Sequence, residues 1–189
     1  MKKKILIAGD SFAANWRIKY NGAGWVNLLE NDYDVTNIAQ AGVSEYKILK
    51  QLEKQDLNGY DHIIVSHTSA YRIPIQEHPI HKDDILHKNC DIIYTDVEEH
   101  MDNDPIMKIA YGFYAHIFDA NYFTYVNDLI YKDIKKKSAK IINITFFNSF
   151  YDDDVLKFED IFLNNKGEMN HMNRKGNKII FDEIKKILS

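Results

Sequence analysis

Four short apolar runs limit what this chain can fold into: KILIA (4–8), YDVTNIA (33–39), HIIVSH (62–67) and AKIINITFF (139–147). Each is rich in β-branched residues and shorter than an ordinary helix, so each reads as a strand. The stretches between them have helical periodicity. GWVNLLEN (24–31) reads as a helix, and SEYKILKQLEKQ (44–55) as another, with Ser44 as N-cap and Tyr46, Ile48, Leu49 and Leu52 as its apolar positions. From Ile106 to about Lys136, Ile109, Phe113, Ile117, Tyr122, Val126 and Ile130 recur at helical spacing, with a break near Asp119 to Asn121. The tail NRKGNKIIFDEIKKIL (173–188) ends in a helix with Ile180, Ile184, Ile187 and Leu188 on one side. Strand and helix in alternation predict a parallel sheet covered on both faces. The expected class is therefore α/β: a three-layer α/β/α sandwich around a flavodoxin-like, mostly parallel sheet of four to five strands.

The length of 189 residues fits one domain, and 45% hydrophobic with 13% aromatic content is ample for one packed core. With 24 Lys and Arg against 28 Asp and Glu, the net charge of -4 argues against broad binding of a nucleic-acid backbone. The single Cys90 excludes an internal disulfide and fits a reducing compartment. MKKKILIAGDS resembles a signal peptide at its start, but Ile5 to Gly9 is shorter than a secretory apolar core of about 7 to 15 residues. No stretch reaches the ~18 apolar residues of a membrane span. A cytoplasmic protein is expected.

Residues 74–104 differ from the rest. Pro74 and Pro79 open the segment, Pro105 follows it, and four histidines and many acids lie within it. It reads as an insertion or lid on a single domain covering 1–189. His78, His81, His87 and Cys90 are side chains that zinc accepts, spaced His-x2-His and His-x2-Cys. The gap between the pairs is shorter than usual in structural zinc sites, so a solvated, mobile lid without metal is the expectation. The KDIKKK run (132–137) reads as a cationic helix end facing water.

In open parallel sheets, ligands collect beyond the carboxyl ends of the strands. Ser11 lies just after the first strand, Gly42 after the second, and Ser66 to Arg72 after the third, so three loops would converge on one edge. A serine hydroxyl needs a base to become a nucleophile. KGEMNHMNRKGN (166–177) offers one, His171, with Glu168 three residues earlier as a carboxylate able to hold the ring. Asp10 reads as a loop-bracing carboxylate beside Ser11, and Asn37 as a residue that satisfies loop backbone. His67 reads either as a satisfied core histidine or, with Thr68, Ser69 and Arg72, as part of a substrate pocket. Arg72 is suited to an anionic group.

The blocks GDSF (9–12), NIAQAG (37–42) and EMNHMNRKG (168–176) together resemble the GDSL, or SGNH, hydrolase superfamily of esterases, lipases, carbohydrate deacetylases and acyl-transfer relatives. The resemblance covers both ends of the chain and the order of elements between them. It implies Ser11 as nucleophile, His171 as base, Glu168 as acid partner, and the N–H groups of Ser11 and Gly42 as oxyanion donors. Two departures stand out. Glu168 occupies the place where that superfamily usually has Asp. The third block, usually Gly-x-Asn-Asp, reads VSHTSAYR (65–72), so a hydroxyl of Thr68 or Ser69 would replace the asparagine donor. The expected function is hydrolysis of a small acyl ester of acetyl type, with a carbohydrate as the candidate carrier and no cofactor. Asp10, His67 and Arg72 are expected at the substrate. The alternatives are an acyltransferase of the same fold, a catalytically inactive module binding a glycan or acylated ligand, and a flavodoxin-like binder using the first loop as an anion nest.

Overall fold

The computed structural model describes residues 2–18, 24–147, 153–167 and 171–189. Its strands are β1 (Lys4–Gly9), β2 (Asp34–Asn37), β3 (His62–His67), β4 (Arg72–Ile73), β5 (Ile92–Ile93), β6 (Ile141–Thr145) and β7 (Leu156–Lys157). Its α-helices among the described residues are α1 (Trp25–Leu29), α2 (Glu45–Glu53), α3 (Tyr94–His100), α4 (Pro105–His116), α5 (Ala120–Lys136), α6 (Glu159–Asn164) and α7 (Arg174–Leu188).

Five strands form one parallel sheet in the order β2-β1-β3-β6-β7. The expected α/β class and parallel sheet are found. Alternation of side chains along β1 and β3 gives the sheet two apolar faces. Ile5, Ile7 and Ile64 pack with Trp25, Val26 and Leu29 of α1 and with Ile180, Phe181 and Ile184 of α7. Leu6, Ala8, Ile63 and Val65 pack with Ile48, Leu49 and Leu52 of α2 and with Ile134 of α5. Helices thus cover both sides.

Both β1 and β3 are near-continuous apolar runs, because each is buried on both faces. The chain leaves β1 for β2 at one edge, then returns to β3 on the other side of β1. That reversal puts the topological switch point, where the crevice of such sheets opens, between the ends of β1 and β3. Gly9 closes β1 at φ 146°, and a Cβ there would stand 2.6 Å from the Ser66 carbonyl oxygen. Only glycine lets the two strand ends run so close.

The expected break in the third helical stretch is a true helix boundary. α4 ends at His116, and Asp119 caps α5 by accepting the N–H groups of Asn121 and Tyr122. β7 and α6, after β6, had no separate signal in the sequence. They are too short for periodicity to register.

Residues 74–104 keep many exposed positions, as their composition suggested, but also have a packed side. His78, Leu86, Cys90, Asp91, Ile92 and Val97 are all buried. β4 and β5 pair antiparallel at the base of the segment, and Ile92 and Val97 share an apolar cluster with Met107 and Ala110 of α4. The segment is stitched to the loop after β2: the Ala41 N–H donates to the Leu86 carbonyl, and the Asp91 N–H to that of Gly42. No described helix is long and apolar enough to cross a membrane.

Candidate functional site at the strand switch point

Ser11 sits half-buried in a turn directly after β1. Three side chains fix the backbone that carries it. The indole N–H of Trp16 donates to the Ser11 carbonyl at 2.6 Å, that of Trp25 to the Phe12 carbonyl at 2.7 Å, and the Asn37 amide to the Ala13 carbonyl at 2.9 Å. The Phe12 ring is anchored in the core, stacked on Phe146 at 4.5 Å. The Asn37 reading as a satisfier of loop backbone is therefore matched by its contacts, which include the Ala39 N–H at 3.0 Å.

Asp10 braces the same turn from below. It is fully buried, and its Oδ1 accepts the Phe12 N–H at 3.1 Å and the Ser66 hydroxyl at 3.2 Å. Burial pushes its carboxyl up to about 6, although the nearby Arg72 guanidinium and these hydrogen bonds pull the other way. Arg72 is itself buried, with one guanidinium nitrogen 3.7 Å from Asp10 Oδ2.

His171 reaches this turn from the far end of the chain. Gly167 donates its N–H to the His171 carbonyl, and Lys166 and Met172 form an isolated antiparallel bridge, so the loop doubles back on itself. Asn173 then caps α7 by accepting the Gly176 N–H at 2.9 Å. The half-buried imidazole lies 4.6 Å, centroid to centroid, from the Trp16 ring and 5.3 Å from the Phe12 ring. Trp16 therefore holds the Ser11 backbone with its N–H and touches His171 with its ring. Glu168 lies outside the described residues.

Gly42 stands on the loop after β2 at φ +74°, a conformation that favours glycine, and a Cβ there would meet the Cys90 Cβ at 2.5 Å. Among the described residues, neither the Ser11 N–H nor the Gly42 N–H is taken by a hydrogen bond. Ser69, after β3, is half-buried, and its hydroxyl oxygen accepts the Tyr71 N–H at 3.2 Å, leaving the hydroxyl proton to donate. Thr68 is fully buried, and its N–H goes to Glu45 Oε2 at 3.2 Å.

His67 is likewise fully buried. Its Nδ1 meets Glu45 Oε1 at 2.5 Å and its Nε2 meets Asn143 Oδ1 at 2.9 Å. Burial by itself would push the imidazole down, but the Glu45 carboxylate and then Asn143 more than reverse this, and it stands above its ordinary value. A direct ligand contact by His67 would require one of those two bonds to break. Ser66, Thr68, Asp10, Glu45, His67 and Asn143 thus form a buried polar floor beneath Ser11.

Of the side chains considered for metal, His78 and His81 come together with Asp96, their ligand atoms within 4.8 Å of one another. His78 Nδ1 accepts the N–H groups of Ile80 and His81, both at 3.2 Å. That leaves the ring proton on Nε2, which faces Asp96 Oδ2 at 3.4 Å. His78 therefore presents a donor rather than a lone pair to the shared space. His81 Nε2 lies 3.6 Å from the other Asp96 oxygen. Burial raises the Asp96 carboxyl, but the two histidines outweigh it and hold it below its ordinary value. Cys90 is apart from this group, its thiol pushed up to about 12 by burial. The His78, His81 and His87 rings form a row, at 4.8 and 5.3 Å, that ends edge-on against Trp16 at 6.0 Å.

Trp16, Glu45, Asn143 and Asp91 are the site residues that sequence reading did not single out. An aromatic in a polar loop five residues beyond Ser11 was the one available signal, for Trp16. Glu45 looks like an ordinary dipole-favoured acid at a helix start. No family model matches the chain, and no curated protein is significantly similar to it.

Proposed function

We propose that the protein is a serine esterase that hydrolyses small acyl esters, of acetyl type and carried on a carbohydrate, with Ser11 as nucleophile and His171 as base. One observation carries the reading. Trp16 bonds to the Ser11 backbone and packs against the His171 ring, so a hydroxyl near one end of the sequence and an imidazole near the other share one neighbourhood at the switch point. In this reading His171 takes the Ser11 proton as the hydroxyl attacks the ester carbonyl. The Glu168 carboxylate steadies the imidazolium. The N–H groups of Ser11 and Gly42, with the Ser69 hydroxyl, stabilise the oxyanion. His171 then protonates the leaving alcohol, and water releases the acyl group from Ser11. Asp10, Arg72 and His67 act through the floor of the site, with Arg72 the one suited to an anionic group on the substrate. The net charge of -4 favours a small or carbohydrate substrate over nucleic acid, and the lone buried Cys90 favours a reducing, cytoplasmic setting.

A fluorophosphonate probe tests the reading. Wild type should be labelled, and Ser11→Ala and His171→Ala should not. Equal labelling of wild type and Ser11→Ala would remove Ser11 as nucleophile. A second reading, a module that binds an acylated or glycosylated ligand without turnover, is favoured by Thr68, whose N–H is committed to Glu45 inside the protein. It predicts no labelling of any form, with ligand affinity unchanged by Ser11→Ala. Acyl transfer to a second alcohol uses the same first half-reaction, and shows itself as a new ester when glycerol or sugar is added.

A further inference from the structure

We infer that Asp91 is a positioning residue for the oxyanion hole, holding the Gly42 N–H in place from the inserted segment; the inference rests on the esterase reading. The donor N–H belongs to the peptide joining Ala41 and Gly42. Both neighbouring peptides are pinned by residues 86–91. On one side the Ala41 N–H donates to the Leu86 carbonyl at 3.0 Å, and on the other the Asp91 N–H donates to the Gly42 carbonyl at 2.9 Å. These bonds hold the chain on either side of that peptide, and the positive φ of Gly42, +74°, sets the direction in which its N–H points.

The Asp91 side chain secures that arrangement. It is fully buried, and its Oδ2 accepts the Ser44 N–H at 2.7 Å, two residues beyond Gly42. Its Oδ1 accepts the Ile75 N–H at 3.0 Å and pairs with Lys47 Nζ at 2.7 Å. The same ammonium donates to the carbonyls of Ile75, Asn89 and Cys90. One carboxylate thus ties together the loop after β2, the start of the inserted segment and the first turn of α2. Cys90, the residue before Asp91, lies so close to Gly42 that no Cβ fits there. The inserted segment is in this view a fixed wall of the site, not a gate. Donors fixed in advance are what stabilise charge that develops only in the transition state.

Hydrolysis of p-nitrophenyl acetate and inhibition by phenylboronic acid test this, the boronate mimicking the tetrahedral intermediate. Asp91→Asn keeps one acceptor for Ser44 but puts an amide NH2 where Ile75 and Lys47 now donate. It should lower kcat by about 10- to 100-fold, less than the roughly 100- to 1000-fold of deleting an oxyanion donor outright. KM should stay within about twofold, and boronate affinity should fall by the same factor as kcat. Lys47→Met, which removes only the ammonium, should shift the same quantities in the same direction by less, and it decides the matter if Asp91→Asn does not fold. A folded Asp91→Asn with kcat within about twofold of wild type, or with raised KM and unchanged boronate affinity, overturns the assignment and leaves the esterase reading standing. A wild type no faster than Ser11→Ala removes both.

Discussion

Glu45 and His67 form an ion pair at 2.5 Å with both side chains sealed from solvent, and the pair joins the first turn of α2 to the end of β3. Asn143 on β6 completes it. Removing one member of a buried pair strands the other, which typically costs about 3 to 5 kcal/mol. Glu45→Gln should therefore lower unfolding free energy by about that amount in urea titrations. The pH dependence has a definite sign. His67 stands above its unfolded value, so its contribution is fully present below that unfolded value, near 6.5, and is lost as pH rises through the folded one. Glu45→Gln should flatten that limb of the stability profile.

Asp10 should act in a lower pH window. Its carboxyl is pushed from 3.8 to about 6 by burial, so the folded protein favours the protonated form. The associated stability is complete below about pH 3.8 and drains away as pH climbs to 6. The gap between the folded and unfolded values corresponds to a loss of order 3 kcal/mol. Asp10→Asn, which imitates the neutral acid, should gain on wild type by that order between about pH 4 and 7. A constant difference across that range would contradict the assigned burial cost.

Trp16 has two separable contacts. Trp16→Phe removes the N–H bond to the Ser11 carbonyl and keeps an aromatic face for His171. It should slow fluorophosphonate labelling by about tenfold, the worth of one hydrogen bond of roughly 1.4 kcal/mol. Trp16→Ala removes both contacts and should slow labelling further. Equal rates for the two variants would show that only one contact matters.

Gly42 and Cys90 should be energetically coupled. Gly42→Ala meets an unfavourable positive φ and a neighbouring Cβ at 2.5 Å, which together should cost at least about 2 kcal/mol. Cys90→Gly removes the opposing Cβ but not the φ penalty. In a double-mutant cycle, Gly42→Ala should cost less by about 1 kcal/mol in the Cys90→Gly background. Additive costs would show that the two positions do not press on each other.

The central strands were legible because burial on both sheet faces writes them as unbroken apolar runs, as in ILIA and IIV. The helices that cover them were legible through one-sided periodicity, as with Ile48, Leu49 and Leu52. What stayed hidden is of another kind. β7 pairs through two residues only, and α6 is six residues long, so neither supplies enough turns or alternations to register. Residues 74–104 looked solvated because their charges are many, yet Asp91, His78 and Asp96 are paired within the protein, a matter of three-dimensional partners that composition does not encode. His67 shows the same limit. Its place at the end of an apolar strand suggested a core position, but nothing in its neighbours in sequence named Glu45 or Asn143.

The packing of α7 against α1 has a consequence for how the molecule comes into being. Lys3 before β1 donates to the Leu188 carbonyl, and Lys185 pairs with Asp32 after α1, so α7 is fastened to the β1–α1 region. A chain emerging from the ribosome has its β1 turn early, yet the loop bearing His171 is made 160 residues after Ser11. Parallel sheets with such distant partners assemble slowly. Ser11 and His171 can thus become neighbours only once synthesis has passed His171, and a chain cut short before that residue lacks the meeting.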